Sequence, residues 1–184
     1  SSGDFTYRAG TYENSASITS NNGNVLLQAD TMNISTTSNI NIAAPKGSVT
    51  IAPKTDTKVI NLGTEVGDRL SLLPQEINRM SASTLRIGAL NGTNTGNINI
   101  TAALNPALTP TLVLRTGGLG SVTSTGANSI TETNLAVQAG GTISLAASNV
   151  ISGNLALNSP ASTLTFNQSS GTFTPATVDG ISPE

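Results

Sequence analysis

Residues 58–89 read KVINLGTEVGDRLSLLPQEINRMSASTLRIGA, in the order strand, polar turn, strand, short helix, strand. Val59-Ile60-Asn61-Leu62 and Arg69-Leu70-Ser71-Leu72 alternate apolar and polar in part, as strands with one buried face do. Pro74, Gln75 and Glu76 form a first helical turn: proline lacks the N–H that would be orphaned there, and Glu76 suits the positive end of the helix dipole. Leu73, Ile77 and Met80 fall at i, i+4 and i+7, which predicts one short helix near residues 74–80 with a single apolar face. Thr84 to Gly88 returns to the strand period. The helix is read as a packing element that closes the side of a strand stack or covers a gap in it.

Outward from this stretch the chain is short strand and turn. Val25 and Leu27, Met32 and Ile34, Ile40 and Ile42, and Val49 and Ile51 are apolar pairs two residues apart. Their second members follow at intervals of 7, 8 and 9 residues. Thr36-Thr37-Ser38-Asn39 and Pro45-Lys46-Gly47 are the polar corners between them. Beyond the helix the pairs continue: Ile98 with Ile100, Leu112 with Leu114, Leu135 with Val137, Ile143 with Leu145, Leu155 with Leu157 and Leu164 with Phe166. Gly117-Gly118, Gly140-Gly141 and Gly153 punctuate the turns. Strands this short and this closely spaced suit three architectures: a sandwich or barrel, a parallel β-solenoid, or a trimeric prism of intertwined chains. As a solenoid with three strands per coil, the chain would make coils of about 20–25 residues and a rod about 35 Å long at the spacing of paired strands. Asn at the corners would stack from coil to coil as a ladder of amide hydrogen bonds. The weak pattern of residues 1–20 reads as an entry strand, residues 21–166 as the coils, and residues 167–184 as a terminal strand and connector.

Composition agrees with a thin core. Charged residues are 10 % of the chain, against about 25 % in ordinary domains. Aromatics are 3 %, and Trp, His and Cys are absent; large rings do not fit a narrow core of small aliphatics. With 8 basic residues and a net charge of −2 there is no patch to neutralise phosphates, so nucleic acid is not an expected partner. Without Cys there are no disulfides and no thiolate metal sites. No apolar run is long enough for a membrane-spanning helix. No basic and apolar signal pattern opens the chain, so the expectation is either a signal already removed or an internal piece of a longer protein, which the blunt ends favour.

The chemistry expected of this chain is correspondingly bare. Lacking His and Cys, it cannot build the Ser-His-Asp or Cys-His arrangements or the common zinc sites. Paired carboxylates could still serve a glycosidase, since many solenoids act on polysaccharides. Glu65 and Asp68 are the nearest such pair, but they flank a Val-Gly turn beside Arg69 and read as a solvated turn with local ion pairing. Between Ile87 and Val178 the chain holds one acid, Glu132, and one base, Arg115, so that half reads as inert. Gly117 to Gly126 is Gly-rich but lacks the lysine of a phosphate loop. The Asn-x-Ser/Thr triplets at Asn33, Asn91, Asn99 and Asn167 are chance products of composition. No catalytic, cofactor-binding or metal-ligating residue is assigned.

The run INLGTEVGDRLSLLPQEINRMSASTLRIG, followed by TGNINITAAL, TLVLRTGGLGSVTSTGANSIT and NLAVQAGGTISLAA, resembles the repeat unit of filamentous-haemagglutinin-like, β-strand-repeat bacterial surface exoproteins, which are large repetitive adhesins. The upstream VLLQADTMNIS and GSVTIAP resemble the strands that precede that unit, so the likeness spans roughly Val25 to Leu157. It implies an all-β fold, a right-handed parallel β-helix within a longer extracellular fibre at the bacterial cell surface, with roles in adhesion, aggregation, biofilm or sheath formation. It further implies neighbouring repeats, surface glycans or other fibres as partners, an outer-membrane transporter during secretion, no cofactor and no catalytic residue. One departure stands out: Leu73-Pro74 occupies the place where the family often carries a capping Thr or Asp, so the helix would start on proline and packing alone.

Overall fold

The structure, a computed structural model, describes residues 3–14, 16–35, 42–90, 95–160 and 163–184. The predicted Ile40, the corner at Thr36 to Asn39 and the Asn91 triplet lie outside these. The first coil holds β1 (Phe5–Arg8), β2 (Thr11–Asn14) and β3 (Ile18–Thr19). The second holds β4 (Val25–Gln28) and β5 (Thr31–Ile34) and enters β6 (Ile42–Ala52). That strand turns a corner within its length, where its register slips, and so continues into the third coil. There follow β7 (Ile60–Leu62), β8 (Leu70–Leu72), the helix α1 (Pro74–Ile77) and β9 (Met80–Gly88), which turns a corner in the same way. β10 (Ile98–Ile100) completes the fourth coil. β11 (Thr111–Arg115), β12 (Val122–Ser124) and β13 (Thr131–Glu132) make the fifth, and β14 (Asn134–Gln138) and β15 (Ile143–Ile151) the sixth. β16 (Asn154–Asn158) and β17 (Leu164–Gln168) make the seventh, and β18 (Thr174–Pro175) opens another.

The fold is a parallel β-solenoid. On its first face β1, β4, β6, β9, β11, β14, β16 and β18 pair in that order. Each strand is parallel to the next. Register stacks like on like: Phe5, Val25, Val49, Leu85, Leu112, Leu135 and Leu155 form one inward column, and Tyr7, Leu27, Ile51, Ile87, Leu114, Val137 and Leu157 the next. From Val25 to Val137 these residues are at most 1 % exposed. Each contributes about 1.5–3 kcal/mol by leaving water. The ladders run within one chain, from coil to coil, which a prism of intertwined chains would not do. The seven pairings of the first face give a rod of about 34 Å.

All five aromatic residues lie in the end coils. Tyr7 and Tyr12 meet edge to face at 4.9 Å in the first, and Phe166 and Phe173 at 6.0 Å at the other end. The middle columns of Ile, Leu and Val leave no room for rings.

Successive partners in the first column lie 20, 24, 36, 27, 23 and 20 residues apart from Phe5 to Leu155. The 36-residue coil exceeds the expected length because it carries two strands on one face. β7 and β8 pair parallel to each other, and the second face runs β8, β7, β10, β12, β15. The loop of residues 63–69 folds over their outer side. Asn61, fully buried, donates to the Thr64 carbonyl (2.6 Å), and Ser71 both accepts from Val66 N–H (3.0 Å) and donates to its carbonyl (3.2 Å).

The helix is shorter than expected. It ends at Ile77, with Asn78 as its last cap, and Met80 belongs to β9, where it pairs with Ile42. The apolar i, i+4, i+7 pattern is therefore one helical turn plus the first inward residue of a strand. Pro74 does occupy the first helical position, but packing is not the only cap. Glu76 Oε2 accepts the Leu73 N–H at 2.7 Å, and Glu76 Oε1 accepts the Ile34 N–H of β5 at 2.7 Å. β5 and β8 pack side by side but share no strand pairing. The carboxylate fills that break, satisfying an N–H on each side of it.

Corners are tied from coil to coil, although by a different device from an amide ladder. Asp4 Oδ1 accepts the Asn24 N–H (2.7 Å), and Asn24 Oδ1 accepts the N–H and hydroxyl of Ser48 (3.0 and 2.9 Å). Asn97 serves Ser121 (2.9 Å), Ser121 serves Thr142 (3.1 Å), and Asn134 serves Asn154 (2.9 Å). Each short side chain accepts a backbone N–H about one coil later, so Asp, Asn and Ser are interchangeable here in a way that an amide–amide ladder would not allow.

Candidate functional site

Glu65 and Asp68 sit exposed on the loop over β7 and β8. Arg69 reaches Asn61 Oδ1 at 3.5 Å instead of either acid, so the expected local ion pairing is not formed. Among the described residues no three Asp or Glu side chains gather. Besides Glu76, the charged residues that the fold treats specially are Glu132, Arg115 and Arg86.

Glu132 stands in β13 beneath the loop of residues 105–110, at the edge of a cleft of about 450 Å³. It is 8 % exposed. Its Oε1 accepts the Thr133 N–H at 2.8 Å, while Oε2 is shut off from solvent and has no partner. Burial pushes the carboxyl up to about 7, only partly offset by the Thr133 bond. Glu132 lines the cleft while its Oε2 is sealed under the surface.

The second site lies on the outer side of the first face. Outward residues there form two rows by register: Thr50, Arg86, Val113, Ala136 and Ala156, and beside them Ala52, Gly88, Arg115, Gln138 and Asn158. The apolar members Val113, Ala136 and Ala156 are covered by Val178 and Ile181 from the C-terminal segment. Val178 and Ile181 exchange two hydrogen bonds (3.0 and 2.9 Å) across Asp179 and Gly180, whose φ values are 52° and 77°. This is a two-residue hairpin of the mirror-turn kind, which the Asp-Gly pair favours. Asp179 is thereby presented to Arg86, whose Nε and Nη2 donate to its two carboxylate oxygens at 2.7 and 2.5 Å. That fork raises the guanidinium's affinity for its proton, against the cost of burial.

Arg115 has no such partner. It pairs across β11 and β9 with Gly88, and the two backbones pass so close that no side chain fits between them. Gly88 has φ +119°, and a Cβ there would run into the Arg115 carbonyl oxygen. Arg86 and Arg115 border one cleft of about 240 Å³, floored by Gly88, Ala89 and Val113. Strand geometry sets their Cα atoms about 8 Å apart, one strand over and two residues along. Among the described residues the Arg115 side chain has no hydrogen-bond or ion-pair partner, and its Nε is buried without an acceptor.

The sequence carried a partial signal for this face. In TLVLR, NLAVQ and NLALN the central Val113, Ala136 and Ala156 break the apolar–polar alternation, which marks strands covered on both sides. Nothing in spacing linked them to Val178 and Ile181, or Arg86 to Asp179, 93 residues away. In comparisons with protein-family models, curated proteins and solved structures, nothing matches the chain; the site rests on its own residues.

Proposed function

We propose that the chain is a rigid spacer segment of an extracellular bacterial surface fibre, with a mechanical and adhesive role and no catalytic one. The observation that carries this reading is the unbroken parallel ladder of the first face, with two inward columns of aliphatics packed beneath it. Bending such a rod means opening ladder bonds and exposing apolar area together, so it holds its ends at a set distance. The weakly charged Ser, Thr and Asn surface suits lateral packing against other fibres and contact with surface glycans. In this reading neighbouring repeats continue the stack, and an outer-membrane transporter carries the chain out of the cell. The likeness of residues 25–157 to repetitive adhesins supports the same assignment.

An antiserum raised against the chain tests it. Labelling of intact cells of the producing bacterium is expected; labelling that requires permeabilised cells would overturn the surface assignment. Incubation with polysaccharides should release no product. Product release that disappears when Glu65 and Asp68 are replaced would overturn the non-catalytic part.

A further inference from the structure

We propose that the cleft between Arg86 and Arg115 binds a carboxylate-bearing sugar, with the Arg115 guanidinium as its anchor. The inference deepens the adhesive reading above by naming a ligand class and a site. Three observations converge on it. Arg115 is an unpaired cation in a chain with few charges, held with its Nε buried against the sheet and without an acceptor. With Nε sealed, the half-exposed guanidinium meets a ligand through its outer Nη1–Nη2 edge, whose fixed donors match a carboxylate two at a time. Next to it, Arg86 already holds a carboxylate in that way, through Asp179; the face is demonstrably shaped to admit one. Between them Gly88, Ala89 and Leu90 line the cleft with backbone and apolar surface, and Thr50 adds a polar flank. A cleft of about 240 Å³ has room for one sugar ring.

Charge decides the class. Arg86 is neutralised by Asp179, so the cleft presents one net positive charge, on Arg115. A singly charged acid is matched; a neutral sugar leaves the guanidinium as it was. A nucleic acid strand would find no second free cation along the rows, whose other members are Thr, Ala, Val, Gly, Gln and Asn.

The test is a titration of the ¹⁵N-labelled chain followed by NMR, with glucuronate and N-acetylneuraminate as probes and glucose, acetate and sulfate as controls. At least one of the two sugar acids should shift the Arg115 Nε–H signal and the Ala89 amide, saturating with a Kd of about 1–10 mM, as befits one partly exposed ion pair. Glucose should be inert, and acetate and sulfate weaker by about tenfold. Arg115→Gln should abolish the shifts while the spectrum keeps its dispersion, and Arg115→Lys, which keeps charge but loses the fork, should weaken binding by about tenfold. The proposal is overturned if neither sugar acid shifts these signals, if acetate or sulfate matches them, or if Arg115→Gln binds as before. Because surface labelling is a separate measurement, a failed titration removes the ligand without touching the fibre, and internal labelling removes the fibre without touching the cleft.

Discussion

Replacing Glu132 by Gln should stabilise the protein at neutral pH and not in acid. The carboxyl is buried with one oxygen unpartnered and is pushed up to about 7 from an ordinary 4.5. A displacement of that size is worth about 3 kcal/mol. Its folded value lies above the unfolded one, so the fold carries no penalty below about pH 4.5, where the group is protonated in both states. From there stability falls as pH rises, and the loss is complete above about pH 7, where the folded protein holds a buried anion. Gln has the same shape and no charge, and its unpaired polar end replaces one that Glu132 already leaves unpaired. The variant should therefore nearly match the parent near pH 4.5 and be about 3 kcal/mol more stable near pH 8. Urea denaturation across this range, followed by two optical probes, measures the difference. Glu76, raised by burial against its bonds to Leu73 and Ile34, and Asp30 also titrate differently in the fold. Asp30 is held low because bonds from Thr55 and Lys54 and the nearby Lys58 outweigh its slight burial. Both contribute equally to parent and variant and cancel. A difference that does not change with pH, or one that favours Gln in acid, would refute the reasoning.

Asn149 is fully buried at the corner of β15, where its amide nitrogen donates to the carbonyls of Leu145, Ala147 and Asn167 (2.9, 2.9 and 3.0 Å) and its oxygen accepts the Ile130 N–H (2.9 Å). Asn149→Ala takes a partner from all four groups and should cost about 3 kcal/mol or more in urea denaturation. Glu76→Ala should cost about 2–4 kcal/mol and speed hydrogen exchange at Ile34 and Leu73, whereas Glu76→Gln, whose carbonyl can still serve one N–H, should lose about half as much. Arg86→Ala should raise hydrogen exchange at Val178 and Ile181 while leaving that of Leu112 unchanged, and should lower global stability by no more than about 1 kcal/mol, because the pair is partly exposed.

The sequence by itself determined which strand residues face inward, while the choice of a parallel solenoid over a sandwich or a prism came from the tertiary structure. Val25 with Leu27, Val49 with Ile51 and Leu135 with Val137 are inward pairs because side chains of a strand alternate, and that period is local enough to read without coordinates. The corners were equally legible, since Gly, Asn and Pro act on their own backbone. The tertiary structure alone decided how windings are joined. That β7 and β8 run parallel, that Met80 starts a strand and not a last helical turn, and that Glu76 satisfies a strand 42 residues earlier depend on what lies one coil away. The same holds for the C-terminal hairpin on Val113, Ala136 and Ala156, for the unpartnered Oε2 of Glu132, and for the cleft beside Arg115. A charge's environment is set by burial and neighbours in space, and neighbours about one coil or several coils apart leave no mark in local spacing.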